Sequence, residues 1–172
     1  GSQMLNLTLL FMLTSLLLSA AIFGFFYAWV CSTMWGLDAT DPAIAIQAMQ
    51  AMNASVRNGV FAPAFFGTPF ALIITALLLR KQNHNTAAKL FTLSAIINLT
   101  LGVILTMAIN VPMNQALAII NIPNDPAVAE QIWLNYSPKW QFWNQIRTIT
   151  TGIALLIAIW GTLHAPILKT RT

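Results

Sequence analysis

From residue 5 to residue 30 the chain carries no charged side chain. A helix of that length crosses about 30 Å of hydrocarbon. Such a segment constrains all that follows, because in lipid only helices and closed barrels satisfy their own backbone groups. Three more apolar runs follow, at residues 61–79, 90–109 and 143–164. Of the 172 residues, 58% are hydrophobic and 7% charged, against about 25% charged in soluble domains. The expected fold is all-α: an integral membrane four-helix bundle forming a single domain over residues 4–172. Gly1-Ser2-Gln3 ahead of Met4 reads as an expression scar. The first run has no basic segment before it, so a retained span fits better than a cleaved signal.

Two Asp-Pro pairs punctuate this plan. At Asp41-Pro42 and Asp125-Pro126 the carboxylate suits a helix cap and the proline suits the first turn. After the first pair, Ile46, Met49, Gln50, Asn53, Val56 and Arg57 recur at helical spacing with a mixed apolar and amide face. That mix predicts a short interfacial helix. The second pair predicts another, within a loop segment over residues 121–138. Pro63 predicts a helix start, Pro69 a kink, and Pro112 a break in the third span. The two pairs share the triplet Asp-Pro-Ala, which is too short to establish an internal repeat.

Four spans return both termini to one side. That side holds Arg80, Lys81, Lys89, Lys169 and Arg171 without an acid. Asp38, Asp41, Asp125 and Glu130 lie on the other, with Arg57, Lys139 and Arg147. By the positive-inside rule both termini are expected in the cytoplasm, and the two short helices on the periplasmic, extracellular or lumenal side. The net charge of +4 is scattered over loops and ends, which argues against a nucleic-acid partner. A single cysteine, Cys31, excludes an internal disulfide and a thiolate metal cluster. There is no glycine-rich phosphate loop, no Ser-His-Asp set and no Cys-x-x-Cys.

The chemistry-bearing residues gather at the non-cytoplasmic end. Trp140, Trp143, Asn144 and Arg147 fall at i, i+3, i+4 and i+7, one face of a helix. The far end of the third span offers Asn110-Val111-Pro112-Met113-Asn114, and Gln50, Asn53 and Asn58 map to the same end. One or two such amides would be interhelical hydrogen bonds, worth roughly 0.6 kcal/mol each. Six converging amides point to a polar chamber. Asn98, alone at mid-span, reads as glue between helices. Arg147 either snorkels to the headgroups or turns inward to a partner. Its shared face with Asn144, and a broken third helix whose carbonyls need donors, favour the inward reading.

Arg147, Asn144, Asn114 and Asn110 are thus the candidate catalytic residues. Trp140, Trp143, Gln50, Asn53 and Trp133 are candidate walls of a substrate slot, although tryptophans also anchor membrane interfaces. Asp38 and Asp125 are candidate bases, equally explained as helix caps or solvated loop charges. The outer end has no histidine. His84 and His164, on the inner side, would be the ligands of a haem, and nothing pairs them. Neither a metal nor another cofactor is therefore expected.

Three blocks carry a resemblance to a known family. They are Met49-Gln50-Ala51-Met52-Asn53 followed by Asn58 and Phe61, then Asn110-Val111-Pro112-Met113-Asn114, then the stretch from Trp133 through Trp140, Trp143, Asn144 and Arg147. In these the chain resembles the anthrone oxygenase-like family of small four-span membrane proteins, the DUF1772 group, over nearly its whole length. Gly59 stands where that family often has proline. The resemblance implies the four-span fold. It also implies a reaction in which O2 converts the central methylene of an anthrone to a quinone carbonyl, with neither metal nor flavin.

Such chemistry is open to a bare protein. The ketone acidifies the methylene, and loss of a proton gives an aromatic anthrolate that passes an electron to O2. The site must supply a proton acceptor, donors for the developing oxyanion and a flat apolar slot. Arg147 with Asn144 or Asn114 suits the donors, and Trp140 with Trp143 the slot. Two other readings compete. One is a non-catalytic module holding a quinone, lipid or small aromatic ligand in the same chamber. The other is a subunit whose amide end docks a partner or a second copy of itself. A chamber open to lipid or water favours the first two readings; amides closed on one another favour the third.

Overall fold

The protein is described here by a computed structural model over residues 1–165. Its rods are α1 (Ser2–Asp38), the short α2 (Pro42–Ser55), then α3 (Ala62–Lys81), α4 (Asn85–Ala118) and α5 (Pro126–Leu163). Apart from α2, each is long and apolar enough to cross a membrane. Each long rod packs on the next in sequence, and α5 closes against α1. This is the antiparallel four-helix bundle of an integral membrane protein. Lys169 and Arg171, two of the cations assigned to the cytoplasmic side, lie outside the described residues.

The inward face of α1 is Thr8, Met12, Ser15, Ser19, Ile22 and Phe26, all buried. Their spacing alternates four and three, the repeat of rods crossing at a shallow angle. Small hydroxyl residues in that stripe let neighbouring backbones approach, which is how helices associate in lipid. Ser94 of α4 donates to the Ala154 carbonyl of α5 at 2.6 Å. At one end α3 turns into α4 through Gln82-Asn83-His84. The His84 N–H reaches the Leu79 carbonyl and the Asn83 N–H the Arg80 carbonyl, with Asn83 at a φ of 62°. Asparagine tolerates that left-handed cap better than most residues. Gln82 donates to Thr8, tying the hairpin to the start of α1.

The rods overrun the predicted spans. α1 starts at Ser2, within the residues read as a scar, and continues to Asp38. At 1.5 Å per residue α5 is about 57 Å long, nearly twice the hydrocarbon thickness. Of the loop segment expected over residues 121–138, with its second short helix, only 121–125 connect the rods, and residues 126–138 are instead the first third of α5. Asp125 caps the start, accepting from the Ala127 N–H, with Pro126 in the first turn. Pro138 lies inside the helix without ending it. Trp133, Ser137 and Gln141, one turn apart on either side of Pro138, all donate to Asp38 of α1. That clasp ties α5 to α1 on both sides of Pro138, and the helix continues through the residue that sequence rules would make its end.

Nor does Pro112 break α4. The rod widens into π-helical turns at Asn98–Ile104 and Thr106–Asn110, then resumes as α-helix over Val111–Ala118 with Pro112 in the first turn. A proline there sacrifices little. α1 widens likewise at Trp29–Thr33. Such turns cluster at functional sites because they re-aim side chains without ending the helix. Pro63 does fall in the first turn of α3, as expected, and Asp41 caps α2 by accepting from Ala43 at 2.8 Å.

Candidate functional site

Arg147 is 4% exposed. Its position on α5 puts it on the same inward face as Asn144 and Trp140, and α1 and α4 close over it. Nη1 donates to Thr106 Oγ1 at 2.9 Å and Nη2 to Asn144 Oδ1 at 2.8 Å. The guanidinium carbon lies 4.3 Å from the centroid of the Phe26 ring and 5.4 Å from that of Trp140. A cation held against desolvated rings gains about 2 kcal/mol. Nε is buried and has no hydrogen-bond partner among the described residues. The inward reading of Arg147 therefore holds, but its partners are side chains, not carbonyls released by a broken α4.

Asn144 spends both ends of its amide. Its Nδ2 donates to the Phe26 carbonyl of α1 at 3.1 Å while its oxygen accepts from Arg147. It orients the guanidinium. Above it a second chain of bonds crosses the bundle. Asn53 Nδ2 of α2 donates to Tyr136 Oη at 3.4 Å, and Tyr136 donates to Asn114 Oδ1 at 2.7 Å. Trp140 Nε1 donates to the same oxygen at 3.1 Å. The oxygen of Asn114 is thus taken, and what the residue can offer a guest is its amide N–H2.

Beside these groups lies a cavity of about 370 Å³. Its floor is Arg147, Thr106 and Asn114; its walls include Phe26, Trp29, Phe61, Phe65 and Trp140, and Asn53 reaches it from α2. The rim carries Arg57, Phe66, Met107 and Gln115, all exposed. α3 and α4 pack together behind their hairpin and diverge toward this end. The cavity therefore opens between these two rods. The chain has four acidic side chains, and none lines the cavity. Arg147 is a buried cation without a carboxylate. Removing such a charge from water costs several kcal/mol unless something compensates it.

The remaining candidates stand elsewhere. Asn110 is buried on α4 between Thr106 and Asn114, and neither its Nδ2 nor its Oδ1 has a partner among the described residues. Gln50 donates to the Leu117 and Ile120 carbonyls, pinning α2 to the end of α4. Asn58 bonds within its own turn, receiving the Val60 and Phe61 N–H groups ahead of α3. Trp143 is half-buried against Phe142, one helical step away from the cavity. Trp133 packs between α2 and α5 and donates to Asp38. Asp38 receives three donors from α5, and Asp125 caps it, so both candidate bases are engaged outside the cavity. Among the described residues no three His, Cys, Asp or Glu side chains come together. His84 and His164 sit at the hairpin end, away from Arg147.

Among the participants that the sequence reading does not place in the site are Thr106, which shares a helical face with Asn110, Phe26 and Tyr136. Phe26 comes from an aromatic run that looks like an interfacial belt. Tyr136 has a visible signal: Tyr136, Trp140, Asn144 and Arg147 form one ladder at i, i+4, i+8 and i+11.

Bundle, buried guanidinium and aromatic cavity together define an integral membrane four-helix protein with a partly polar cavity near one end. A family model described as anthrone oxygenase matches residues 58–157, more than half of the chain. The chain belongs to that family. The match contains Thr106, Asn114, Trp140, Asn144 and Arg147, and leaves Phe26 and Asn53 outside it. No curated protein and no solved structure matches the chain.

Proposed function

We propose that the protein is a membrane-embedded oxygenase of anthrone-type aromatic substrates that uses O2. The observation that carries this reading is a buried guanidinium with no carboxylate partner among the described residues, set in the wall of an aromatic cavity. A neutral planar substrate enters from the bilayer between α3 and α4. Deprotonated at its methylene, it becomes an anthrolate, and Arg147 and the Asn114 amide lower the energy of that oxyanion. Asn144 and Thr106 aim the guanidinium, and Phe26 with Trp140 holds it against solvent.

The anthrolate gives one electron to O2. The carbon radical and superoxide recombine to a peroxide at the former methylene, and loss of water leaves the quinone carbonyl. One CH2 and one O2 become one C=O and one H2O, so no external reductant, metal or flavin is required. No carboxylate or imidazole lines the cavity, so the proton passes to water at the mouth beside Arg57 and Gln115. The charge bias of the two ends favours the periplasmic, extracellular or lumenal side for the chamber.

The lack of a protein base in the cavity also suits a second reading, a module that holds a quinone without turning it over. O2 uptake and quinone formation by the purified protein with a hydroxyanthrone separate the two. Wild type should oxidise the substrate, and Arg147→Met should be slower by about 100- to 1000-fold, the usual loss of an oxyanion donor. Equal rates for both would end the role given to Arg147. Quinone retention without O2 uptake would establish the second reading.

A further inference from the structure

The opposite end of the bundle carries a groove that has no part in the chemistry above. Where α3 and α4 lie together behind their hairpin, a cavity of about 610 Å³ runs along the outer surface. Its walls are largely apolar, with Leu77 from α3 and Leu93 and Ile96 from α4, all exposed within helices long and apolar enough to cross a membrane. From Asn85 to Ile96 it extends about 16 Å at the helical rise. At its hairpin end Arg80 of α3 and Lys89 of α4 flank Asn85, and both cations are exposed.

Charge decides what fits. Asp38, Asp41, Asp125 and Glu130 all sit at the far end of the bundle, so neither cation has an acidic side chain to face. Arg80 stands in the last turn of α3 and Lys89 in the second turn of α4, so both mark the ends of apolar spans. A phosphate beside a guanidinium and an ammonium gains charge-assisted hydrogen bonds, and the groove below has the length and polarity of an acyl chain.

We propose that this groove binds one anionic phospholipid. Its phosphate lies between Arg80 and Lys89, and one acyl chain lies along Leu77, Leu93 and Ile96. The test titrates the purified full chain in detergent with phosphatidylglycerol or phosphatidylcholine of equal chain length and counts retained lipid by native mass spectrometry. A basic residue at an anionic surface is worth about a fivefold preference, so two give about 25-fold for phosphatidylglycerol.

Arg80→Gln with Lys89→Gln should bring the two lipids to parity. Leu93→Trp keeps both charges but fills the groove, and should weaken phosphatidylglycerol retention by itself. Glycerol phosphate, a headgroup without chains, should not displace the lipid. Equal retention of the two lipids by wild type would overturn the proposal. So would an undiminished preference in the double variant, unchanged retention in Leu93→Trp, or displacement by glycerol phosphate.

Discussion

At the hairpin end the rods meet on alanine: Ala76, Ala87, Ala88, Ala95 and Ala158 are buried around Leu79 and Phe91. There Gly161 brings α5 so near α4 that a Cβ would stand 2.9 Å from the Phe91 ring. At the far end the same rods are parted by Phe26, Phe65 and Trp140 and bridged by Asn53, Tyr136 and Asn114. Small residues let backbones close on one another, and dispersion contacts then hold them in lipid. Large rings and amides hold backbones apart and leave room for a guest. The closed end fixes the rods, so the open end can keep an unpaired cation in a cavity without collapsing on it.

That contrast can be broken from either end. The largest effect is expected at the open end, in catalysis rather than folding. Arg147→Met should cost about 3–4 kcal/mol of barrier, yet thermal unfolding in detergent should stay close to wild type, because a buried cation without a counter-ion is weak support for a fold. A large drop in unfolding temperature would make Arg147 a structural residue. At the closed end, Gly161→Leu forces a side chain onto Phe91 and should lower stability by about 1–3 kcal/mol. Turnover per folded molecule should not change. If turnover falls in proportion, the ends are not independent.

Smaller effects sharpen the boundary between them. Asn114→Leu strands the Tyr136 hydroxyl and the Trp140 indole N–H. It should destabilise by about 1 kcal/mol and raise the KM for the anthrone more than it lowers kcat. Smallest is Asp38→Asn, which retains an acceptor for Trp133 and Ser137. The rate of quinone formation and its pH profile should both be unchanged. A rate loss with an altered pH profile would return Asp38 to the role of base.

Much of the fold is legible in the sequence because charge depletion over four stretches leaves few alternatives in lipid. The caps at Asp41 and Asp125 are local chemistry, readable from two adjacent residues each. Arg147 is placed inward by the face it shares with Asn144 and by a supposed break in the third span; the shared face is local and holds, whereas the break at Pro112 does not occur. What stayed hidden depends on distant parts of the chain. Phe26 is 121 positions before Arg147, and nothing in its aromatic run distinguishes a cavity wall from an interfacial anchor. Pro138 breaks a helix by local rules, but Asp38 grips the residues on both sides of it. Trp143 shares a helical face with Trp140 on paper, yet three residues of rotation carry it past the edge of the cavity. Gln50 and Asn58 were drawn into the chamber by composition, whereas each is committed to backbone groups nearer by.

The wide turns of α4 place a constraint on sequence length. Each π-type turn accommodates one residue beyond what an α-helical path needs. Excision of a single residue within one of these turns would let it tighten to α-helix and leave what lies beyond facing as before, with Asn114 still aimed at Tyr136 and Trp140. Excision of Met113, beyond the last wide turn, would instead swing Asn114 by about 100° away from both. Counting matters here as much as chemistry: the wide turns mark where this rod can lose a residue and keep its far end in register.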